Sequence, residues 1–376
     1  MSNQTVGDQP FRFFDNREKY LMFVTTCGEK QVTAERIGRE LDQLKPRPPA
    51  IRLFDAGMGD GTVLSMVLRD IHRRWPTSPI MVVGKEISRE DMRITTGKLA
   101  DRFYEHPQMV IALTNMFYSE APYLLPNRPE TQAELNWCEV ALTGNSTHEF
   151  DAQIKAQDSF ITDGWQTRPS PKTGNPLYVK PSVLVLYRED QRFALDAIIP
   201  QKGQSDFAYD LSVVSQPYRA RSTAALKVRN VLAPLALSLA PGGRMITIQS
   251  TGRDPGMEII RRVWPDEDPF QTPRSLLLDT LREQLGDDAK EFAYDDMTDA
   301  EFRYNLQLAD DEVANNIGTS TLLAAWNAAI YVAQIEDHRL AEAMSQGKYL
   351  EATQDILTRH GGLWFRNECF VVARNN

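Results

Sequence analysis

The spacing of apolar residues changes character along the chain, and each change predicts an element. Within residues 11–44, Ile37, Leu41 and Leu44 recur at three and four with Glu and Arg between them, the pattern of a helix with one buried face. A proline-rich stretch at 45–49 ends that run. Residues 51–54 are short, apolar and branched, as a strand buried on both faces should be. A glycine-rich turn follows at 55–61, and then Val63, Met66, Val67 and Ile71 return to helical spacing. Residues 80–83 predict a second buried strand that ends near Glu86. Ser88 stands as the N-cap of a helix over 89–104, with Glu90 and Asp91 in its first turn. Residues 109–113 predict a third strand. This strand–helix alternation implies a parallel sheet with right-handed crossovers.

Residues 118–204 break the rhythm with many prolines and glycines, and 168–176 is the most loop-like part. Residues 183–187 and 193–199 read as paired strands around Arg188–Gln191, so the stretch is read as an insertion carrying a hairpin, with a lid or a dimer contact as its role. The core pattern resumes with a strand at 210–214, a helix at 223–239, a Pro241-Gly242-Gly243 turn and a strand at 245–249. A helix is predicted at 275–285 and a long helical stretch at 320–358. Residues 302–306 and 369–373 supply the last two strands.

Composition narrows the classes. The 376 residues are 42% hydrophobic and 25% charged, ordinary for a globular chain. No apolar run has the length of a membrane span, and the first ten residues lack an apolar signal core, so a cytoplasmic protein with no membrane partner is expected. The net charge of −9 argues against general nucleic-acid binding, which needs a basic face. The cysteines, Cys27, Cys138 and Cys369, are odd in number and far apart, which suits neither a disulfide framework nor a zinc site. The five histidines show no ligand spacing, and no metal is expected.

The candidate chemistry lies in the first strand–turn–helix unit. Asp55-Ala56-Gly57-Met58-Gly59-Asp60-Gly61 leaves a buried strand and enters a helix, and its glycines allow a tight turn and close approach of a ligand. Asp55 precedes the glycines, where a carboxylate suits a cofactor with cationic groups. Glu86 closes the second strand, 25 residues after Gly61, where an acid grips ribose hydroxyls. Asn115, after the third strand, is placed to meet an adenine. Ligands of open α/β sheets bind beyond the carboxyl ends of the strands, so Ser215, Gln216 and Tyr218, at the end of the fourth, are candidates beside the reacting group.

With these residues the chain resembles the Rossmann-like (class I) methyltransferases that use S-adenosylmethionine (SAM). The resemblance implies that Asp55, Gly57, Gly59 and Gly61 contact the amino-acid part of SAM and that Glu86 holds its ribose. The Leu239-Ala240-Pro241-Gly242-Gly243 turn before the fifth strand is also common there. The aromatic N-terminal stretch with Tyr20 and Phe23, the later Glu29, Gln216 and the closing residues 363–372 resemble the histamine N-methyltransferases. That likeness implies an acceptor site at Tyr20, Phe23 and Glu29, with Gln216 and Tyr218 as the catalytic candidates. The insertion has no counterpart in that family, and Asp55 stands where the family is less acidic.

The expected architecture is therefore α/β: a helical cap over residues 1–48, then a seven-stranded SAM-binding sheet over 49–376, interrupted at about 118–204. The expected activity is methyl transfer to a small molecule at an amine nitrogen. Methylation at oxygen, or a SAM-binding sensor or scaffold without catalysis, are the alternatives, and a homodimer is open. An aminopropyltransferase would need an acid where Ser215-Gln216-Pro217 stands. A nicotinamide oxidoreductase would favour a different glycine order and a Tyr–Lys dyad.

Overall fold

The computed structural model describes residues 17–171, 174–295, 297, 299–307 and 317–376. Residues 11–16, the start of the predicted N-terminal helix, lie outside them. The rest of that helix forms two pieces, α1 (Arg17–Thr26) and α2 (Glu29–Leu41). They part at Cys27 and Gly28, where Cys27 bridges to Leu306 and Gly28 donates its amide to Asn305.

Among the described residues there are twelve strands: β1 (Ile51–Asp55), β2 (Ile80–Lys85), β3 (Met109–Thr114), β4 (Asn136–Leu142), β5 (Thr167–Pro169), β6 (Pro176–Tyr178), β7 (Ser182–Arg188), β8 (Tyr209–Ser215), β9 (Leu239–Ser250), β10 (Phe292–Asp295), β11 (Glu301–Asn305) and β12 (Trp364–Arg374). Ten of them form one sheet in the order β10-β12-β9-β8-β1-β2-β3-β7-β4, with β11 also on β12. The centre, β9-β8-β1-β2-β3, is parallel, and β12 runs antiparallel to β9. This is the expected Rossmann-like α/β arrangement, with ten strands where seven were expected.

The surplus comes partly from the insertion. β7 pairs antiparallel with β3 and parallel with β4, extending the main sheet. The hairpin expected around Arg188–Gln191 is not there. β7 is a strand, but Arg192–Leu195 is a helical turn, and Phe193 is fully exposed. The apolar residues of this stretch, Phe193, Leu195, Ile198 and Ile199, fit a turn that buries only the last three. The insertion's actual hairpin is β5–β6, a separate two-stranded sheet flanking the stretch read as loop.

Other elements match with smaller changes. Ser88 caps its helix, its hydroxyl accepting from the Asp91 amide at 3.2 Å. That helix divides into Arg89–Thr96 and Leu99–Glu105. The long C-terminal stretch divides into Thr319–Ala333, Asp337–Gln346 and Lys348–His360, with left-handed residues Gln334 and Gly347 at the joints. Buried side chains from the two faces of the sheet form separate cores, and a third core joins α1 to the C-terminal helices. Among the described residues no helix is long and apolar enough to cross a membrane, and no cluster of His, Cys, Asp and Glu could hold a metal ion.

Strand order reverses between β1 and β8. Crevices form beyond the carboxyl ends of the strands at such a switch point, and the chain's candidate residues gather there.

Candidate active site

A cavity of about 1050 Å³ opens beyond the ends of β1, β2, β3 and β8. The α3 helix (Thr62–Arg74) leaves the glycine turn beneath it, and α1, α2 and helix Thr319–Ala333 close its other side. Asp55, at the end of β1, is buried, and its carboxylate accepts from the Gly57 amide at 3.3 Å. Burial pushes its pKa up from 3.8 to about 7; the Gly57 amide and the Lys30 ammonium oppose the rise.

Glu86 organises the floor. One carboxylate oxygen accepts from the Gly59 amide at 2.9 Å, and the other from the Ile87 and Ser88 amides, both at 2.8 Å. This side chain therefore ties the end of β2 to the glycine turn. Burial raises its pKa, against the pull of Lys85 and those amides.

The three glycines are not equivalent. A Cβ on Gly57 would meet nothing closer than the Ser215 carbonyl at 4.0 Å, and Gly57 lines the cavity. Gly59, at φ +51, faces the Tyr20 hydroxyl and the Lys30 ammonium. Gly61, at φ +73, turns away from the cavity and packs on Thr95. A Cβ there would sit 2.8 Å from Thr95 Oγ1 and 3.1 Å from its Cα, while that same hydroxyl donates to the Gly59 carbonyl. Gly61→Ala is expected to cost about 2–3 kcal/mol from the left-handed backbone and the overpacking, read as a lowered urea midpoint at unchanged slope.

Lys30, on the first turn of α2, reaches the same corner. Its ammonium is 3.5 Å from Asp60 and 5.6 Å from the Tyr20 ring centroid. Burial works against its charge, but Asp60 and Glu29 outweigh it and raise the pKa. Burial would likewise raise Asp60, yet Lys30, Thr62 and Lys98 hold it at about 2.

Glu29 precedes Lys30 and lines the cavity among aromatic rings. Phe23 stands 4.8 Å from Tyr331 and 6.0 Å from Tyr304, ring centre to centre, and Tyr20 lies 5.8 Å from Tyr331. Burial raises the Glu29 pKa; Lys30 and the nearby amides of Asn367 and Gln216 oppose it. Neither amide is at bonding geometry with Glu29. Gln216 Nε2 donates to Ser250 Oγ at 2.9 Å, and the buried Nδ2 of Asn367 has no hydrogen-bond partner among the described residues.

Gln216 itself is held at φ +48, an uncommon conformation for a residue with a side chain. Its amide donates to Ile248 at 2.9 Å, which fixes the turn out of β8. Strain of this kind collects at functional positions. Tyr218 lines the cavity, but its hydroxyl donates to Gln249 at 3.0 Å. Burial raises its pKa. Ser215 also lines the cavity.

Asn115 lies at the end of β3 as expected, but its side chain fastens the insertion. It donates to the Gly164 and Lys180 carbonyls at 2.8 and 2.9 Å and accepts from the Ser182 amide at 2.9 Å. The Trp165 indole adds a bond to the Glu86 carbonyl at 2.7 Å. The insertion is thus built onto the rim of the site.

No family model and no curated protein matches the chain. Solved structures that it resembles include methyltransferases. One, provisionally named a sarcosine dimethylglycine methyltransferase, from Galdieria sulphuraria, is 9% identical over 92% of this chain and 85% of that one, with a TM-score of 0.38. A geranyl diphosphate methyltransferase, solved with sinefungin and also with SAM, is 13% identical over 92% and 78%, at 0.34. An rRNA methyltransferase from Streptomyces viridochromogenes is 15% identical over 65% and 77%, at 0.23.

The cavity therefore brings together Asp55, Gly57, Gly59, Glu86, Asn115, Ser215, Gln216, Tyr218, Tyr20, Phe23 and Glu29, all expected from the sequence, and leaves Gly61 outside. Sequence reasoning missed Lys30, Lys85, Tyr304 and Tyr331, which also line it. Lys30 adjoins Glu29 and was within reach of the sequence; the two tyrosines arrive from β11 and a distant helix.

Proposed function

We propose that this cavity binds SAM over the glycine turn and transfers its methyl group to an amine nitrogen of a small molecule. The observation that carries the reading is the pair of unlike acids in one cavity. Glu86 is locked by three amides at the glycine turn, and Glu29 is held among aromatic rings with the side-chain amides of Asn367 and Gln216 near it.

The cofactor suits the residues present. Gly57 leaves open space where a Cβ would point. Asp55 is a buried carboxylate with no ion pair among the described residues, a place for an ammonium. Lys30 and Tyr20 meet at Gly59, a place for a carboxylate. Glu86 retains acceptor capacity for ribose hydroxyls. SAM, when bound, supplies a methyl group on a sulfonium and so needs little acid–base help.

The remaining work is positioning. The rings of Tyr20, Phe23, Tyr304 and Tyr331 favour a cationic or amine-bearing group. The Glu29 carboxylate accepts from its N–H and, with its raised pKa, is suited to take the proton that frees the nitrogen lone pair. Gln216, fixed in its strained turn, orients the same group.

Calorimetric titration with SAM and its demethylated product tests the cofactor, and a radiolabelled methyl-transfer screen of amines and alcohols tests the acceptor. Transfer to alcohols but not amines would move the reading to oxygen. Tight SAM binding without turnover would move it to a sensor.

The Asp55 pKa gives a pH prediction. With its folded value above its unfolded one, this group's contribution to stability is full below about pH 4 and is lost as pH rises through about 7. Binding of an ammonium runs the other way, because it needs the ionised carboxylate. SAM is expected to bind about tenfold more tightly at pH 7 than at pH 5.5, and Asp55→Asn should flatten that dependence, both measured by calorimetry.

A further inference from the structure

Two buried lysines on one side of the cavity are not used by this reading. Lys85 ends β2 and is 8% exposed. Its ammonium lies 4.7 Å from the Tyr118 ring centroid, and among the described residues no hydrogen bond or ion pair reaches it. Lys227, 2% exposed, follows β8. Its ammonium lies 4.7 Å from the Tyr218 ring centroid and donates to the Ala220 carbonyl at 3.0 Å and to Thr272 Oγ1. Again no ion pair is present among the described residues. The Tyr118 hydroxyl donates to the Pro217 carbonyl at 2.9 Å, so the two lysine–tyrosine pairs flank a single turn, and both lysines line the cavity.

Burying an ammonium without an anion is costly. The nearest acids do not relieve it. Glu86 is turned to three backbone amides and forms no ion pair with Lys85 among the described residues, and Glu368 is bonded to Gln249 and the Arg274 amide. Burial accordingly lowers the pKa of both lysines, that of Lys227 to about 8, with Glu86 and Glu368 opposing only in part. An anion brought by a ligand would restore both charges. The carboxylate of SAM already has Lys30 and Tyr20 beside Gly59. The cavity, at about 1050 Å³, is at the upper end for a site with one ligand.

We infer that the methyl acceptor carries an anionic group, a carboxylate or a phosphate, as well as its amine, and that Lys85 and Lys227 hold that group while Glu29 holds the nitrogen. The inference rests on the proposed SAM-and-amine reading of the cavity. It sharpens the substrate class from amines to dipolar amines, and it gives the turn at Pro217 a second task beside the orientation of Gln216.

Matched pairs of amines that differ only in the anion test it: histamine against histidine, tyramine against tyrosine, and ethanolamine against phosphoethanolamine. Binding of each is measured by calorimetry on protein loaded with demethylated SAM, and kcat/KM is measured where turnover occurs. The wild type should prefer the charged member of at least one pair by about tenfold or more, as one charge-assisted bond allows. The carboxylate and phosphate arms then tell the two anions apart. Lys85→Met and Lys227→Met should each erase most of that preference, Lys85→Arg should retain part of it, and SAM affinity should stay within about twofold of wild type. A wild type with no preference for the charged members, including one that binds none of the six, overturns the inference. So does a Lys85→Met protein whose SAM affinity falls with its acceptor affinity, which would assign the lysine to the cofactor. SAM titration of the same wild-type sample decides the reading of the site separately.

Discussion

Replacing Glu86 with alanine is expected to weaken SAM binding by at least about two orders of magnitude, since it removes at least two hydrogen bonds to a charged group worth ~1.5–3 kcal/mol each. Two effects add. The carboxylate that would accept ribose hydroxyls is gone, and the Gly59, Ile87 and Ser88 amides lose their acceptor. The second effect loosens the glycine turn before any ligand arrives. Glu86→Gln separates the two, because its one carbonyl oxygen can keep the bond to Gly59 or those to Ile87 and Ser88, but not both. It should fall between wild type and Glu86→Ala. Calorimetry gives the affinities, and the thermal midpoint without ligand reports the loosened turn. An affinity unchanged in Glu86→Ala would remove SAM from this cavity.

What was legible in the sequence follows burial. β2 and β3 are nearly continuous apolar runs and β1 and β8 are mostly buried, because helices cover both faces, and such segments can be read without knowing their neighbours. β4, Asn136–Leu142, escaped notice because it is a half-buried edge strand with polar and apolar residues mixed. The insertion was misread for a related reason. Phe193 and Leu195 suggest alternation, but Phe193 lies wholly in solvent and among the described residues no partner strand faces it. The sequence says which residues are apolar, not which side of a turn finds a neighbour.

The site divides the same way. Asp55, Glu86 and Gln216 stand at strand ends, and strand ends in an α/β sheet point at the crevice whatever else the chain does. Asn115 shows the limit of that rule: its position was legible, but its three bonds to the insertion were not. Tyr304, Tyr331 and Asn367 come from β11, a C-terminal helix and β12. They converge with Glu29 only because β11 and β9 both pair with β12 and helix Thr319–Ala333 packs against α1. Lys85 was hidden by its neighbour, since Glu86 explains the end of β2 without it.

Glu29→Gln is expected to lower kcat/KM for an amine acceptor by about a hundredfold, the cost of losing one charge-assisted hydrogen bond of ~1.5–3 kcal/mol and a place for the departing proton. SAM affinity should stay within about twofold, because Lys30, Asp55 and Glu86 are untouched. The substitution keeps the side chain's shape among Phe23, Tyr304 and Tyr331, so a folding defect would not explain the loss. Glu29 is the first residue of α2, and an acid there also favours the helix N-terminus by about 0.3–1 kcal/mol, an effect that moves stability but not the pH profile. The pH profile therefore discriminates. Burial raises the Glu29 pKa, so the wild-type rate should fall as the pH drops and the carboxylate takes up a proton. Glu29→Gln should lack that limb, while Glu29→Asp should keep it at reduced rate. If all three proteins share one acidic limb, the proton is handled elsewhere, and Glu29 serves only to hold the helix and the acceptor in place.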